Sequence, residues 1–157
     1  MSSPSATAKD NNRGGLQPAH ILLVEDSPTD VMMIREVMAQ ASFRNTVHVV
    51  EDGLQALKFL RREGDYAHAP RPHLVLLDLQ LPLKSGHEVL AEIKNDEVLR
   101  SIPVVVLSSS RDEQDVMSAY RAFANSYVTK PVDYREFAAA LRLIERFWLG
   151  VATRIET

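Results

Sequence analysis

The chain has 157 residues, a length typical of one domain, and its hydrophobic (45%) and charged (25%) fractions are those of an average globular protein. Its 18 basic and 21 acidic side chains give a net charge of -3 without any Lys- or Arg-rich block, which argues against nucleic-acid binding. The absence of cysteine excludes disulfides and thiolate metal sites, and no apolar stretch approaches the roughly 20 residues of a membrane span. We therefore expect a cytoplasmic protein that does not engage a membrane.

The two ends of the chain differ from its middle in composition. Residues 1–19 are small and polar with several Gly and Pro, which predicts a disordered N-terminal tail. A folded domain is predicted at 20–150, followed by a short C-terminal tail at 151–157. The domain opens with an apolar strand at 20–24, after which Ser27 and Pro28 are typical of a helix start.

Apolar runs and helical periodicities then alternate along the chain. Further strands are predicted at 45–50, 73–77, 103–107 and 126–129. After 51–53 a helix is expected to bury Leu54, Leu57 and Leu60, and later helices are predicted at 87–95, 111–122 and 133–149. This alternation predicts a doubly wound α/β domain, a five-stranded parallel sheet flanked by five helices.

Polar side chains follow several of these strands at the point where each strand ends. Glu25 and Asp26 follow the first strand and Asp78 follows the third, while Ser108 and Lys130 follow the last two. Parallel strands open onto one crevice, so these groups are expected to lie together. Three carboxylates repel one another unless a cation lies between them, and an all-oxygen set favours Mg²⁺ over Zn²⁺. The hydroxyl and the ammonium suit a phosphoryl group, which an aspartate can accept as an acyl phosphate.

Over about residues 20–149 the sequence resembles the receiver domains of two-component response regulators. Four segments in this order carry the resemblance: 22–26, 76–82 followed by Ser85 and Gly86, 106–108, and 127–131. The resemblance implies a flavodoxin-like fold with strand order 2-1-3-4-5. It also implies a phosphoacceptor signalling domain with no enzymatic activity beyond self-phosphorylation and self-dephosphorylation.

The resemblance assigns a metal site and a phosphorylation site. Asp78 is implied to be phosphorylated by a sensor histidine kinase. Glu25, Asp26 and Asp78 are implied to bind Mg²⁺ together with Gln80, which would contribute its backbone carbonyl.

The resemblance also assigns the groups that respond to phosphorylation. Ser108 is implied to hydrogen-bond the phosphoryl group and Lys130 to pair with it. Tyr127 occupies the position of the family's aromatic switch, which turns inward when Ser108 is drawn to the phosphate.

A narrower resemblance points to the small stand-alone regulators paired with bacterial and cyanobacterial phytochrome kinases. It rests on residues 71–94, the serine triplet 108–110, and residues 145–149. The implied kinase is a bacteriophytochrome. Because only eight residues follow Leu149, we expect the output to run through protein contacts or through a phosphorelay.

The last predicted helix has an unusually wide apolar arc. Phe137, Leu141, Ile144 and Trp148 share one face, and Leu143 and Phe147 extend it sideways. A broad core contact with a few exposed apolar residues and a partner surface are both compatible with this pattern. The family resemblance implies a homodimer formed through the last two helices and the last strand, with an interface that includes Tyr127, Phe147 and Trp148.

Two other functional classes fit part of the pattern. A Mg²⁺-dependent phosphatase or phosphotransferase with an aspartyl nucleophile typically has a second Asp two residues after the first, where this chain has Gln80. A binding module that is never phosphorylated would lack one of the site residues, and none is missing. Asp26 alone is also compatible with a simple helix cap.

Overall fold

A five-stranded parallel sheet forms the centre of the protein. The computed structural model describes residues 18–152. The strands are β1 (Ala19–Val24), β2 (Asn45–Val50), β3 (Leu74–Leu77), β4 (Val104–Ser108) and β5 (Ser126–Thr129), and their order in the sheet is β2-β1-β3-β4-β5. All neighbouring pairs are parallel. The predicted fold class and strand order are confirmed.

Five helices connect and flank the strands, and each begins at a capping side chain. They are α1 (Pro28–Ala39), α2 (Gly53–Arg61), α3 (Gly86–Asn95), α4 (Glu113–Arg121) and α5 (Tyr134–Glu145). A 3₁₀ turn occupies Gly64–Tyr66, and a π-helical segment, Arg146–Val151, continues α5. A backbone amide of the first turn donates to the side chain of each cap, namely Ser27, Asp52, Ser85, Asp112 and Asp133. None of the helices between residues 18 and 152 is long and apolar enough to cross a membrane.

The sheet is covered on both faces, which explains its continuous aliphatic strands. Leu22 and Val24 of β1 face the core beneath α2, α3 and α4, and the intervening Ile21 and Leu23 face the core beneath α1 and α5. Strands β1, β3 and β4 therefore have no solvent-exposed face, as is typical of central strands in a doubly wound sheet. Charged groups on these strands are tolerated only where the strands end.

Helix α2 buries a different face from the one predicted. Leu57 and Leu60 are buried, but Leu54 is 43% exposed. A three-residue step advances an α-helix by about 300°, so residues 54, 57 and 60 drift about 120° around the axis. The buried arc is completed by Ala56 and Phe59 instead.

The last helix is regular for fewer residues than predicted. Phe137, Leu141 and Ile144 are buried as expected, and the chain then widens into the π-helical segment. That wider turn changes which residues face inward. Leu149 is buried, whereas Trp148 is only half-buried.

The predicted tails fall mainly outside the described residues. Ala19, the last residue of the predicted N-terminal tail, is buried as the first residue of β1, so the folded part begins one residue earlier than predicted. At the other end, Val151 closes the π-helical segment. The predicted disorder at 1–19 and the predicted C-terminal tail at 151–157 are otherwise untested.

Candidate functional site

Two neighbouring strands deliver three carboxylates to one edge of the sheet. Val24 of β1 is paired with Leu77 of β3, so the residues that follow them, Glu25 and Asp78, emerge side by side. Glu25 is 2% exposed and Asp78 is 8% exposed, while Asp26 is open to solvent. One carboxylate oxygen from each of these three residues lies within 4.8 Å of the other two.

This donor set fits a hard divalent cation. All the side-chain ligands are carboxylate oxygens, which Mg²⁺ prefers, and the exposed Asp26 leaves room for water in the coordination sphere. Two buried carboxylates without a positive neighbour would be strongly destabilising, so the cluster needs compensation by a cation or by a basic side chain.

Lys130 provides such compensation from the end of β5. Its Nζ donates hydrogen bonds to Glu25 Oε1 at 2.5 Å and to Asp30 Oδ2 at 2.8 Å. The same nitrogen lies 3.8 Å from Asp78 Oδ2. The backbone amide of Lys130 donates to the carbonyl of Ser108 at 2.8 Å, which ties the end of β5 to the end of β4.

Asp30 is a site residue that the sequence interpretation missed. In the sequence it is one more residue of a helix start, but its carboxylate reaches Lys130 from the first turn of α1. The available signal is its position four residues after Asp26, on a helix that starts at the crevice. An acid in that first turn is also favoured by the helix dipole, so its presence alone did not indicate a second role.

Burial and charge shift the titration of both members of the Lys130–Glu25 pair. Burial raises the pKa of Glu25 to about 7, against the opposing effect of Lys130 and with a further increase from Asp78. Burial alone would lower the pKa of Lys130, but its hydrogen bonds to Asp30 and Glu25 outweigh burial and raise that pKa above its usual value. Lys130 is therefore a firmly protonated ammonium in the site.

The segment after Asp78 is packed tightly against it. The amide of Gln80 donates to Asp78 Oδ1 at 3.3 Å, and the Gln80 side chain is exposed. The amide of Gly86 donates to the carbonyl of Leu79 at 2.9 Å, which closes the loop just before α3. The reciprocal hydrogen bonds of Ser85 and Glu88 then form a capping box that starts the helix.

Ser108 and Tyr127 meet through the loop that follows β4. Ser108 is fully buried, and its hydroxyl accepts a hydrogen bond from the amide of Ser110 at 3.1 Å. The Tyr127 hydroxyl donates to the carbonyl of Ser110 at 2.9 Å, with the ring packed against the core beneath α2, α3 and α4. The tyrosine thus points inward, and Ser110 hydrogen-bonds both the hydroxyl of Ser108 and the hydroxyl of Tyr127.

A further set of polar contacts holds this loop. The hydroxyl of Ser110 donates to Asp115 Oδ2 at 2.6 Å, and Asp115 Oδ1 lies 3.1 Å from His87 Nε2. His87 is in the first turn of α3 and Asp115 is in the first turn of α4. These contacts connect the loop after β3 with the loop after β4 outside the carboxylate cluster.

Residues of the predicted partner interface pack on both sides of the sheet. Tyr127 packs against the core beneath α2, α3 and α4, whereas Trp148 packs against the core on the other face of the sheet. Phe147 is half exposed beside Trp148, with the two rings edge to face at 5.0 Å. The family resemblance grouped these residues, and because β5 is an edge strand, side chains on its two sides can border one surface. The interface stays a prediction.

Comparison with known proteins agrees with this geometry. The model of the response regulator receiver domain family matches residues 21–142. The response regulator Rcp1 of Synechocystis sp. is 44% identical over 136 residues, which cover 87% of this chain and 92% of Rcp1.

Two solved structures are similar over most of the chain. The crystal structure of the phosphorylated cyanobacterial phytochrome response regulator RcpA is 45% identical with a TM-score of 0.87, covering 89% of this chain and 100% of that one. The Mn²⁺-bound form of Rcp1 is 43% identical with a TM-score of 0.86, covering 88% of this chain and 100% of that one. The chain belongs to the response regulator receiver domain family.

Proposed function

We propose that Asp78 accepts a phosphoryl group from a phosphohistidine of a sensor kinase. The observation that carries this proposal is the position of its carboxylate, grouped with those of Glu25 and Asp26 and 3.8 Å from the ammonium of Lys130. An oxygen of Asp78 would attack phosphorus as the phosphorus–nitrogen bond breaks, and the imidazole nitrogen would keep the electron pair. The product is an acyl phosphate.

The surrounding residues would supply positioning and charge neutralisation, the main requirements of phosphoryl transfer. Glu25, Asp26 and Asp78 would hold Mg²⁺ together with the backbone carbonyl of Gln80. When bound, Mg²⁺ neutralises the charge of the transferred oxygens. Lys130 would hold one of these oxygens from the opposite side, and the buried hydroxyl of Ser108 would donate to another.

The response would begin at the loop after β4. A phosphoryl group that accepts a hydrogen bond from the hydroxyl of Ser108 would pull on the oxygen that accepts a hydrogen bond from the amide of Ser110. Ser110 also holds the phenol of Tyr127, so the balance between arrangements of this loop would change with phosphorylation. The domain would signal in this way through protein contacts, with no enzymatic activity beyond gain and loss of its own phosphoryl group.

The kinase in this proposal is of the bacteriophytochrome type. The support is the similarity to Rcp1 and to RcpA, a phosphorylated phytochrome response regulator. The expectation of a cytoplasmic location remains part of the proposal. Phosphotransfer from a panel of purified sensor kinases tests the pairing, and faster transfer from kinases outside the phytochrome class would contradict it.

We also propose that the protein forms a homodimer through its last two helices and last strand. Leu143 is 66% exposed and Phe147 is 50% exposed, four residues apart and so on one side of the helical axis. Sedimentation of the wild type and of Phe147→Glu, with and without the phosphoryl analogue, tests this assembly. A wild type that sediments as a monomer in both conditions would exclude it.

The central test uses acetyl phosphate or beryllofluoride with Mg²⁺ and intact-mass or peptide analysis. Wild-type protein is expected to carry one adduct on Asp78, and Asp78→Asn to carry none. Asp65→Asn, an exposed aspartate in the 3₁₀ turn, is the matched control and should label like the wild type. Labelling that persists in Asp78→Asn would refute the assignment, and catalytic hydrolysis of an aryl phosphate would favour the phosphatase alternative.

A further inference from the structure

The ammonium of Lys130 is shared unequally among three carboxylates. It hydrogen-bonds Glu25 and Asp30 at 2.5 and 2.8 Å, whereas Asp78 lies 3.8 Å away, beyond hydrogen-bond distance. The Lys130 side chain is only 11% exposed, so these contacts are poorly replaced by water. Lys130 is therefore closer to Glu25 and Asp30 than to Asp78, the residue that would carry the phosphoryl group.

Glu25 and Asp30 differ in their relation to the metal site. Glu25 belongs to the cluster whose oxygens lie within 4.8 Å of one another, so a bound divalent cation would share its negative charge. Asp30 lies outside that cluster, on α1, and its side chain is 25% exposed. Cation binding would therefore weaken the attraction between Glu25 and Lys130 and leave the attraction between Asp30 and Lys130 largely unchanged.

We propose that Asp30 is a positioning residue that restrains Lys130 in the unphosphorylated protein and competes with the phosphoryl group on Asp78 for its ammonium. This inference rests on the proposed phosphorylation of Asp78. An ammonium has three donors, but its charge is divided among all the anions it contacts. A phosphoryl group must therefore draw Lys130 away from Asp30 to gain its full electrostatic stabilisation.

The competition has a definite sign. Replacing Asp30 by Asn removes one negative charge from the neighbourhood of the incoming anion and leaves Lys130 with one charged hydrogen-bond partner, Glu25, instead of two. Both effects favour a phosphoryl group. At saturating Mg²⁺ the protein should then bind a phosphoryl analogue more tightly than the wild type does.

The experiment is a titration of full-length protein with beryllofluoride at saturating Mg²⁺. Asp30→Asn is expected to bind about fivefold more tightly than the wild type, the range of a partly exposed ion pair. Asp30→Glu restores the carboxylate and should return the affinity toward the wild-type value. Glu51→Gln is the matched control. Glu51 is exposed and directly follows Val50, the last residue of β2, whose carbonyl accepts a hydrogen bond from the amide of Glu25. This substitution removes a charge at the same sheet edge and should leave the affinity within about twofold.

A double-mutant cycle separates competition for Lys130 from a structural effect of the substitution. In a Lys130→Met background, Asp30→Asn should lose at least half of its effect on analogue affinity, expressed as the logarithm of the fold-change. An equal gain in both backgrounds, or a wild-type or weaker affinity in Asp30→Asn, would overturn the inference. If the wild type itself forms no adduct on Asp78, the proposed function fails instead, so the two failures are distinguishable.

Discussion

Gly86 packs so closely on Asp78 that a β-carbon at position 86 would lie 2.2 Å from the carbonyl oxygen of Asp78. It would also lie 2.5 Å from the α-carbon of Leu79, another backbone atom that cannot rotate away. We therefore predict that Gly86→Ala displaces the segment after β3, destabilises the fold by about 2 kcal/mol and slows labelling of Asp78 by acetyl phosphate. Urea denaturation and initial labelling rates measure the two effects.

Gly64→Ala is the control for this prediction. Gly64 has a positive φ of 57°, so alanine there is strained, but a β-carbon would meet nothing within 4 Å. It should cost about 1 kcal/mol of stability and leave the labelling rate of folded protein unchanged. Wild-type stability and labelling in Gly86→Ala would show that the segment accommodates the extra carbon.

Lys94 is predicted to act as a structural cross-link. Its Nζ donates to the carbonyls of Arg100 and Ile102 at 3.0 and 2.8 Å and to the side chain of Asn125 at 3.1 Å. Burial lowers the pKa of Lys94. The three acceptors are neutral oxygens, so these contacts include no carboxylate. Lys94→Met keeps much of the volume and leaves the acceptors without their donor, so we expect a loss of about 2 kcal/mol in urea denaturation. The exposed Lys58→Met should change stability by less than about 0.5 kcal/mol.

The buried carboxyl of Glu145 predicts a pH dependence of stability. One of its oxygens has no hydrogen-bond partner among residues 18–152, and burial raises its pKa from 4.5, against opposing effects of Arg146 and the backbone of Ser42. The folded protein thus holds a proton that the unfolded chain loses above about pH 4.5. This site therefore opposes folding progressively as the pH rises above 4.5 toward the folded-state pKa.

Glu145→Gln should remove that opposition. We expect the variant to be more stable than the wild type by about 1 kcal/mol at pH 7 and to lose this advantage near pH 4. Thermal denaturation across this range measures the difference, with the exposed Glu97→Gln as the control. A stability difference that is constant with pH would contradict the assignment to a titrating carboxyl.

The contacts of Asp115 predict which segment loosens when this residue is changed. Its carboxylate accepts from Ser110 and lies beside His87, and these hydrogen bonds lower its pKa. In Asp115→Ala, Ser110 loses its side-chain anchor, so amide hydrogen exchange should accelerate several-fold at 109–112. Exchange in the strands should be unchanged. Glu113→Gln, on the same helical turn, is the control, and identical exchange in both variants would show that the anchor is dispensable.

Much of the fold could be predicted because local and tertiary signals agree. The central strands are continuous aliphatic runs since both faces of the sheet are covered, and the start of α1 carries a capping serine and a first-turn proline. The same logic located the acids of the site, because a charge in such a strand is tolerated only at its end. Glu25 and Asp78 follow paired residues of adjacent strands, as that argument requires.

The features that were missed depend on distances in space. The contact between Asp30 and Lys130 joins residues 100 positions apart, and Asp30 already had a local explanation as a first-turn acid. The exposure of Leu54 depends on which arc of α2 meets the sheet, and a spacing of three residues does not determine that arc.

The amide of Lys130 donates to the carbonyl of Ser108, so one main-chain hydrogen bond at the end of β4 and β5 joins the two residues that would contact different oxygens of a phosphoryl group. A force on either side chain is transmitted to the other through a main-chain link that is short and stiff. Engagement of the hydroxyl and of the ammonium should accordingly be cooperative. NMR relaxation measurements on Ser108 and Lys130 should give a single exchange rate. The protein would then switch between two states, with both side chains or neither in contact with the phosphoryl group.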